Sequence, residues 1–296
     1  MSTLLDRISL VALRARGFRS RYVGTSLGTT HVLDGTGRGS LPPLVLLHGV
    51  SSRGTHYRPM IRHLLPHHRR ILLPDMLGHG LSDEPRMGLT SAIIEEALTE
   101  TLDQLLDEPV VMFGNSMGGY MAIRYAARSP ERVRGLAVNS PAGGALPDPK
   151  RALLLNRFDV RSHQDSLALV ERAFARPPRP ALRHMIAYAV RRQLAQPRMR
   201  RLFASITARD ELSPEELQRL RMPTLFMWGQ DERVLLEDQL DFFLAHLPAH
   251  ARVLRPAGYG HSPYLERSRD LAQRLVDFAR EALEPAELTA DRSRSP

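Results

Sequence analysis

The chain has 296 residues, of which 43% are hydrophobic, enough to bury a sizeable core in one large domain. It contains no cysteine, which excludes disulfides, thiolate nucleophiles and cysteine-ligated zinc. The formal net charge is +9, but 40 of the 41 basic residues are arginine, which indicates a bias of the whole chain. No nucleic-acid recognition motif accompanies the charge, so we expect no nucleic-acid partner.

The N-terminal segment carries an apolar run at residues 8–13 that is too short and poorly flanked for a signal peptide. No segment reaches the roughly 18 apolar residues of a membrane span. We therefore expect a soluble cytoplasmic protein that acts on a small molecule, with no cofactor and no metal. The sequence leaves open whether it forms a homo-oligomer.

In chain order, strands and helices alternate along most of the sequence. Apolar or alternating runs predict strands at 19–25, 29–33, 44–47, 70–73, 109–113, 133–138, 223–228 and 252–255. Helical spacing predicts helices at about 55–65, 90–106 (capped by Thr90 or Ser91), 117–128, 236–246 and 262–283. Asp34 and Gly35 are typical of a turn. This alternation predicts a parallel sheet with helices on both faces.

The alternation stops after Ser140 and resumes only at Pro223. The intervening segment has no strand pattern and contains helical patterns around 166–175, 180–195 and 214–220, separated by prolines. We interpret it as a helical cap at 141–222, inserted into a core formed by 20–140 and 223–284. Residues 1–19 and 285–296 are interpreted as terminal extensions.

A strand, a sharp turn and a helix meet at Gly114-Asn-Ser116-Met-Gly118. Glycines two positions either side of Ser116 remove the Cβ atoms that would clash in so tight a turn. The serine hydroxyl is then exposed at a helix N-terminus, which is the geometry of a nucleophile elbow. A glycine-rich turn after a strand can also hold a phosphate. The choice between a nucleophile and a phosphate site therefore depends on whether the sequence also supplies a base, an acid and an oxyanion hole.

A nucleophilic serine needs a base, and the base needs a carboxylate that orients it. Such groups should follow strand ends, because the crevice at the carboxyl edge of a parallel sheet is where ligands bind. Asp231 follows the strand that begins at Pro223, and His261 follows the last strand. The chain order Ser116, Asp231, His261 is that of α/β-hydrolase triads.

An oxyanion hole requires two N–H donors. We expect them from Met117, directly after the nucleophile, and from Val50, in the loop after the strand at 44–47, with Ser51 as second choice. The His48 ring is interpreted as structural. Asp75 is a rival acid, but its glycine-rich surroundings favour a loop that the Asp75 side chain holds.

Together these motifs resemble the α/β-hydrolase fold family. They comprise His48-Gly49, Asp75-x-x-Gly78-x-Gly80-x-Ser82, Gly114-Asn-Ser116-Met-Gly-Gly119, Trp228-Gly-x-Asp231 and Gly260-His261 with Glu266. The resemblance covers residues 20–283 outside the insertion. It implies an eight-stranded, mostly parallel sheet with a helical cap after strand six. It also implies Ser116 as nucleophile, His261 as base, Asp231 as orienting acid, and the Val50 and Met117 amides as oxyanion hole.

The function expected from this pattern is hydrolysis of a carboxylic ester through an acyl-enzyme on Ser116. Two alternatives use the same triad: an acyltransferase, and a carbon–carbon bond hydrolase of aromatic ring-fission products, which the Gly-Asn-Ser-Met-Gly-Gly form also resembles. Against the latter, the loop after His48 is not glycine-rich and no tryptophan follows His261. A non-catalytic binding protein is a third reading, although all three triad positions are filled.

Substrate-binding candidates are less well defined by the sequence. The insertion carries 16 Arg or Lys against 8 Asp or Glu, so it is either an electropositive surface that recognises an anionic or carrier-linked substrate, or a solvated arginine-rich face. The candidate contacts are Ser51, Asn115, Arg183, Arg191, Arg192 and Ser262.

Overall fold

The computed structural model describes residues 4–283 of the chain, and the side chains from Asp6 onward. Its centre is an eight-stranded sheet in the spatial order β1-β2-β4-β3-β5-β6-β7-β8. The strands are β1 (Phe18–Thr25), β2 (Gly28–Thr36), β3 (Leu44–Leu47), β4 (Arg70–Asp75), β5 (Val110–Asn115), β6 (Val133–Asn139), β7 (Thr224–Met227) and β8 (Arg252–Leu254). The β1–β2 and β2–β4 pairs are antiparallel and all later pairs are parallel. The predicted fold class is confirmed.

Helices cover both faces of this sheet, as its two apolar sides require. In the core they are α1 (Leu4–Arg14), α2 (Arg58–Leu64), α3 (Ser91–Leu105), α4 (Met117–Arg128), α10 (Glu237–His246), α11 (Pro263–Glu266) and α12 (Ser268–Glu281). Between β6 and β7 lie α5 (Asp148–Asn156), α6 (His163–Ala173), α7 (Pro180–Leu194), α8 (Pro197–Ser205) and α9 (Pro214–Gln218). A 3₁₀ turn, Gly54–Tyr57, precedes α2.

Successive residues of a strand point to opposite faces, and the core divides accordingly. In β3, Val45 and Leu47 pack with α3, α4 and the helices between β6 and β7. Leu44 and Leu46 pack on the other side, with α1, α2 and α12. The continuous apolar strands of the sequence are therefore buried on both faces.

Three details differ from the sequence-based expectations. Asp34 and Gly35 lie inside β2, paired with β4, and form no turn. The last helix is interrupted at Arg267, whose φ of −124° and ψ of 33° are not helical. Within the predicted extension at 1–19, the described residues 4–19 pack on the core, because α1 buries Leu13 completely and β1 begins at Phe18. The predicted extension at 285–296 lies outside the described residues.

No helix within residues 4–283 is long and apolar enough to cross a membrane.

Candidate active site

Ser116 occupies the sharp turn that joins β5 to α4. Its φ of 57° and ψ of −122° lie outside the usual regions for a residue with a side chain, a conformation that costs about 1–3 kcal/mol. A Cβ on Gly114 would come within 2.1 Å of the Gly118 carbonyl oxygen, and one on Gly118 within 2.1 Å of the Leu47 oxygen. Both positions therefore require glycine, and the turn has the form expected of a nucleophile elbow.

Two backbone N–H groups adjoin this turn. Met117 is the first residue of α4, so its N–H has no partner within the helix. A Cβ on Gly49 would lie 3.3 Å from the Ser116 Cβ, so the loop that carries Val50 lies beside Ser116. Among the hydrogen bonds of residues 4–283, neither the Val50 nor the Met117 N–H is used as a donor. Both amides are free to bind a developing oxyanion.

His48 holds the Val50 loop in place. Its Nδ1–H donates to the Gly49 carbonyl at 2.8 Å, and its Nε2 accepts from the Met76 N–H at 3.0 Å. Both ring nitrogens are thus occupied by backbone, and burial lowers the pKa of His48 to about 4. The ring is a neutral structural bridge, as the sequence analysis expected.

Asp75 also serves a loop. One carboxylate oxygen accepts from the Gly54 N–H at 2.7 Å, and the other accepts from the Leu81 N–H at 3.0 Å and contacts His31 Nδ1 at 2.9 Å. Burial opposes ionisation of this carboxyl, but the His31 hydrogen bond and the nearby imidazoles hold its pKa below the usual value. Asp75 is therefore fully engaged in holding its glycine-rich loop.

The strand register aligns the other catalytic candidates with Ser116. Asn115, Asn139, Met227 and Leu254 are paired in one row across β5, β6, β7 and β8. The segments that follow these residues therefore emerge at one edge of the sheet, with neighbouring strands about 4.8 Å apart. His261 belongs to the segment after β8.

The His261 imidazole is paired with Glu232. Its Nδ1 lies 2.8 Å from Glu232 Oε2, and the two side chains are 10% and 1% exposed. The other carboxylate oxygen accepts from the N–H groups of Val234 and Leu235, at 2.7 and 3.1 Å. Burial disfavours the charged carboxylate, but the imidazole and these hydrogen bonds outweigh it and lower the pKa of Glu232. An ionised Glu232 fixes the proton on Nδ1 and leaves Nε2 as the basic nitrogen.

This geometry corrects the assignment of Asp231 as the orienting acid. The Asp231 carboxylate accepts from the Gly258 N–H at 3.0 Å, and the Asp231 N–H donates to the Tyr259 carbonyl at 3.0 Å. Asp231 thus joins the loop after β7 to the loop that carries His261. Glu232 is not among the residues predicted from the sequence, although it is a carboxylate directly after Asp231.

Ser116 opens into a cleft of about 120 Å³ beneath the helices that lie between β6 and β7. Most of its lining is apolar, and Val50 and Met117 lie beside Ser116 at one end. The remaining lining residues are Ser91, Tyr120, Met121, Ala142, Gly143, Leu146, Arg151, Leu154, Leu155, Phe158, Leu202, Phe203, Ile206, Asp210, Glu211, Leu235 and Gln239. His261 and Glu232 are not among the described residues that line it.

Arg151 is the one cation in the lining of this cleft, as far as residues 4–283 define it. Its guanidinium donates to both carboxylate oxygens of Glu211, to the Leu146 carbonyl at 2.8 Å and to Asp148. All three of its nitrogens are therefore used within the protein. The cleft offers apolar surface rather than a free positive charge.

None of the six substrate-binding candidates from the sequence lines the cleft. Asn115 is buried, and its side chain accepts from that of Asn139 at 2.9 Å. Arg183 is paired with Glu171, and Arg192 lies over the Tyr188 ring, both on α7. The others are Ser51, Arg191 and Ser262. Net charge cannot tell which face of a helix meets the cleft, and the role of these six residues in substrate binding stays a prediction.

The comparisons with known proteins agree with this architecture. A model of the alpha/beta hydrolase family matches residues 44–274. The chain is 29% identical over 269 residues to a pimeloyl-[acyl-carrier protein] methyl ester esterase of Xanthomonas oryzae pv. oryzae, covering 83% of this chain and 97% of that protein. It is 27% identical over 259 residues to a 2-hydroxy-6-oxo-2,4-heptadienoate hydrolase of Pseudomonas putida, covering 80% of this chain and 88% of that protein.

Among solved structures, a bacterial membrane phospholipase A superposes with a TM-score of 0.81 and 25% identity, over 95% of this chain and 92% of that one. The sheet, the strained serine at the end of β5 and the family match lead to one conclusion: this chain belongs to the alpha/beta hydrolase family, and it is a hydrolase.

Proposed function

We propose that the protein hydrolyses a neutral carboxylic ester, with Ser116 as nucleophile, His261 as base and Glu232 as the acid that orients it. The observation that carries this proposal is the 2.8 Å contact between His261 Nδ1 and Glu232, at the sheet edge where Ser116 stands. Esterases and lipases among the relatives support ester hydrolysis in general.

The reaction proceeds in two steps. Ser116 Oγ attacks the ester carbonyl as His261 Nε2 takes the hydroxyl proton, and the tetrahedral oxyanion accepts hydrogen bonds from the Val50 and Met117 amides. His261 then returns the proton to the departing alcohol, which leaves an acyl group on Ser116. Water enters, gives its proton to the same nitrogen, and releases the carboxylic acid.

The state of Arg151 favours an ester over a ring-fission product. The Pseudomonas putida relative is named for a dienoate, which carries a carboxylate. A buried carboxylate needs a cation or several hydrogen-bond donors. In this cleft the Arg151 nitrogens are already bound to Glu211, Asp148 and the Leu146 carbonyl. A neutral, apolar acyl group fits this lining better.

The segment 141–222 acts in this proposal as a cap. Its helices α5 to α9 lie between β6 and β7, and it contributes 12 of the 20 residues in the lining of the cleft. The cap thus supplies the acyl-binding walls, whereas residues 20–140 and 223–284 supply the catalytic groups and the sheet.

The direct test measures hydrolysis of p-nitrophenyl esters, from acetate to palmitate, by the wild type, Ser116→Ala and Ser129→Ala. Ser129 follows the opposite end of α4 and is a matched control. Removal of a serine nucleophile lowers kcat by up to about 10⁶-fold in a well-studied protease, so we expect a loss of several orders of magnitude for Ser116→Ala and none for Ser129→Ala.

Equal activity in Ser116→Ala would contradict the assignment of the nucleophile. A folded wild type that hydrolyses none of the esters would contradict the proposed function itself.

A further inference from the structure

A second cavity lies among the cap helices, next to the cleft that contains Ser116. Its volume is about 480 Å³, four times that of the cleft. It is formed by the end of α5, the segment that follows it, and residues of α7 and α8: Leu155, Asn156, Phe158, Asp159, Val160, Arg161, Leu194, Arg200, Phe203 and Ala204. We call this cavity the outer groove.

The cleft and the outer groove share a wall. Leu155, Phe158 and Phe203 line both of them. The rings of Phe158 and Phe203 are stacked, with centroids 5.0 Å apart and planes inclined by 16°. Side chains from α5, α8 and the segment after α5 therefore border both the Ser116 cleft and the outer groove.

The residues that line both cavities belong to no strand of the sheet. Both rings are half-buried and belong to the cap, and Phe158 lies between α5 and α6, outside regular structure.

Six of the ten residues that line the outer groove are apolar. Val160 and Leu194 are buried and supply apolar surface. The polar side chains are exposed, and two of them, Asp159 and Arg161, are paired with each other. Burying methylene groups against such surface contributes about 0.8 kcal/mol for each CH₂.

We propose that the outer groove is a second acyl subsite, which takes the distal end of a long chain after it passes between Phe158 and Phe203. This inference rests on the proposed ester hydrolysis and deepens it. The short cleft alone holds only the part of the acyl group next to the carbonyl, and the aromatic pair determines whether the rest of a long chain can enter. The substrate class is then esters of long, unbranched and uncharged acyl chains.

The test compares kcat/KM for p-nitrophenyl butyrate and dodecanoate in three variants. Ala204→Trp fills the outer groove from an exposed position, and Phe158→Ala removes one ring of the shared wall. Phe242→Ala is the control, because this half-buried phenylalanine of α10 lies outside both linings.

We expect Ala204→Trp to lower the dodecanoate-to-butyrate ratio at least about tenfold, since a single methylene group in an apolar pocket is worth 10-fold or more. Phe158→Ala should raise the ratio, and Phe242→Ala should leave it unchanged. The subsite would be overturned if the dodecanoate-to-butyrate ratio of kcat/KM stayed constant in both groove variants. It would also be overturned if kcat/KM fell equally for both esters.

A binding measurement separates this inference from the proposed function. Calorimetric titration of Ser116→Ala with the neutral ester methyl dodecanoate should give a Kd that rises about tenfold when Ala204→Trp is added, because a single methylene contact in an apolar pocket is worth 10-fold or more. If the wild type hydrolyses no ester yet the Kd shifts in this way, the ester proposal fails and the subsite stands. An unchanged Kd would count against the subsite, whatever the activity.

Discussion

At the scale of single residues, the site depends on which of two adjacent carboxylates faces His261. Asp231 and Glu232 are neighbours in an irregular loop, where no periodic pattern assigns side chains to faces. The N–H groups of Val234 and Leu235 bind Glu232 and direct it inward, whereas the Gly258 N–H binds Asp231. The longer Glu232 side chain therefore takes the place at which the sequence suggested Asp231.

This assignment predicts opposite outcomes for two isosteric substitutions. Glu232→Gln removes the negative charge beside the imidazole and should lower kcat by up to about 10⁴-fold, as loss of the orienting carboxylate does in a serine protease. Asp231→Asn keeps an oxygen that can accept the Gly258 N–H, so its kcat should stay within about tenfold of the wild type. Steady-state kinetics on p-nitrophenyl butyrate measures both, with circular dichroism as the check on folding.

If instead Asp231→Asn abolishes turnover and Glu232→Gln does not, the acid is Asp231 and the contact at His261 Nδ1 has another role.

At the scale of elements, local patterns identified those helices and strands that carry a strong periodic or continuous apolar signal. β3, β5 and α4 match the predicted spans closely, and Thr90 caps α3 by accepting from the Ile93 N–H as expected. The helices α1, α5 and α8 were not predicted. The helices α1 and α8 are amphipathic, so their periodicity could have identified them, whereas α5 has only a weak periodic pattern. Isolated helices of 9 to 11 residues are marginal in water, so packing of their apolar faces stabilises all three.

The N-terminal helix offers a test of that explanation. Leu13 is 0% exposed and packs in the core with α2 and α12, whereas Val11 on the same helix is 65% exposed. Leu13→Ala should lower the free energy of unfolding by about 2–5 kcal/mol, the usual cost of truncating a buried leucine. Val11→Ala should change it by less than about 0.5 kcal/mol. Urea denaturation followed by tryptophan fluorescence measures both.

Equal effects of the two substitutions would mean that α1 is not part of the cooperative core.

At the scale of the whole molecule, the fold buries three histidines in neutral form. Burial lowers the pKa of His48 and His68 to about 4 and that of His79 to about 3, from an ordinary value of 6.5. An unfolded chain binds protons at these rings below pH 6.5, whereas the folded chain does not. The contribution of these three rings to the free energy of unfolding is therefore fully present above pH 6.5, and it declines as the pH falls towards 4.

One of these rings can be tested by itself. His68 donates from Nδ1 to the Pro42 carbonyl at 2.7 Å, and an asparagine amide can replace that donor without ionising. One pKa unit is worth about 1.4 kcal/mol, so His68 accounts for roughly 3 kcal/mol of stability lost between pH 6.5 and 4. His68→Asn should reduce the loss of unfolding free energy between pH 6.5 and 4 by that amount, as measured by urea denaturation at each pH. The half-buried neighbour His67, changed to Asn, is the control and should keep the wild-type slope.

A slope that His68→Asn leaves unchanged would show that this ring does not stay neutral in the folded protein.

The sequence by itself determined the family and the sheet, and it located the turn at Ser116 around which the proposed catalytic groups lie. Each of these depends on local information: glycines that one tight turn requires at 114 and 118, apolar strands, and polar residues directly after strand ends. Only the tertiary structure decided that Glu232 rather than Asp231 contacts His261, that Arg151 is already paired, and that Phe158 and Phe203 separate two cavities. These outcomes depend on which side chains from distant segments meet, and neither composition nor periodicity encodes that for irregular loops and short, charged helices.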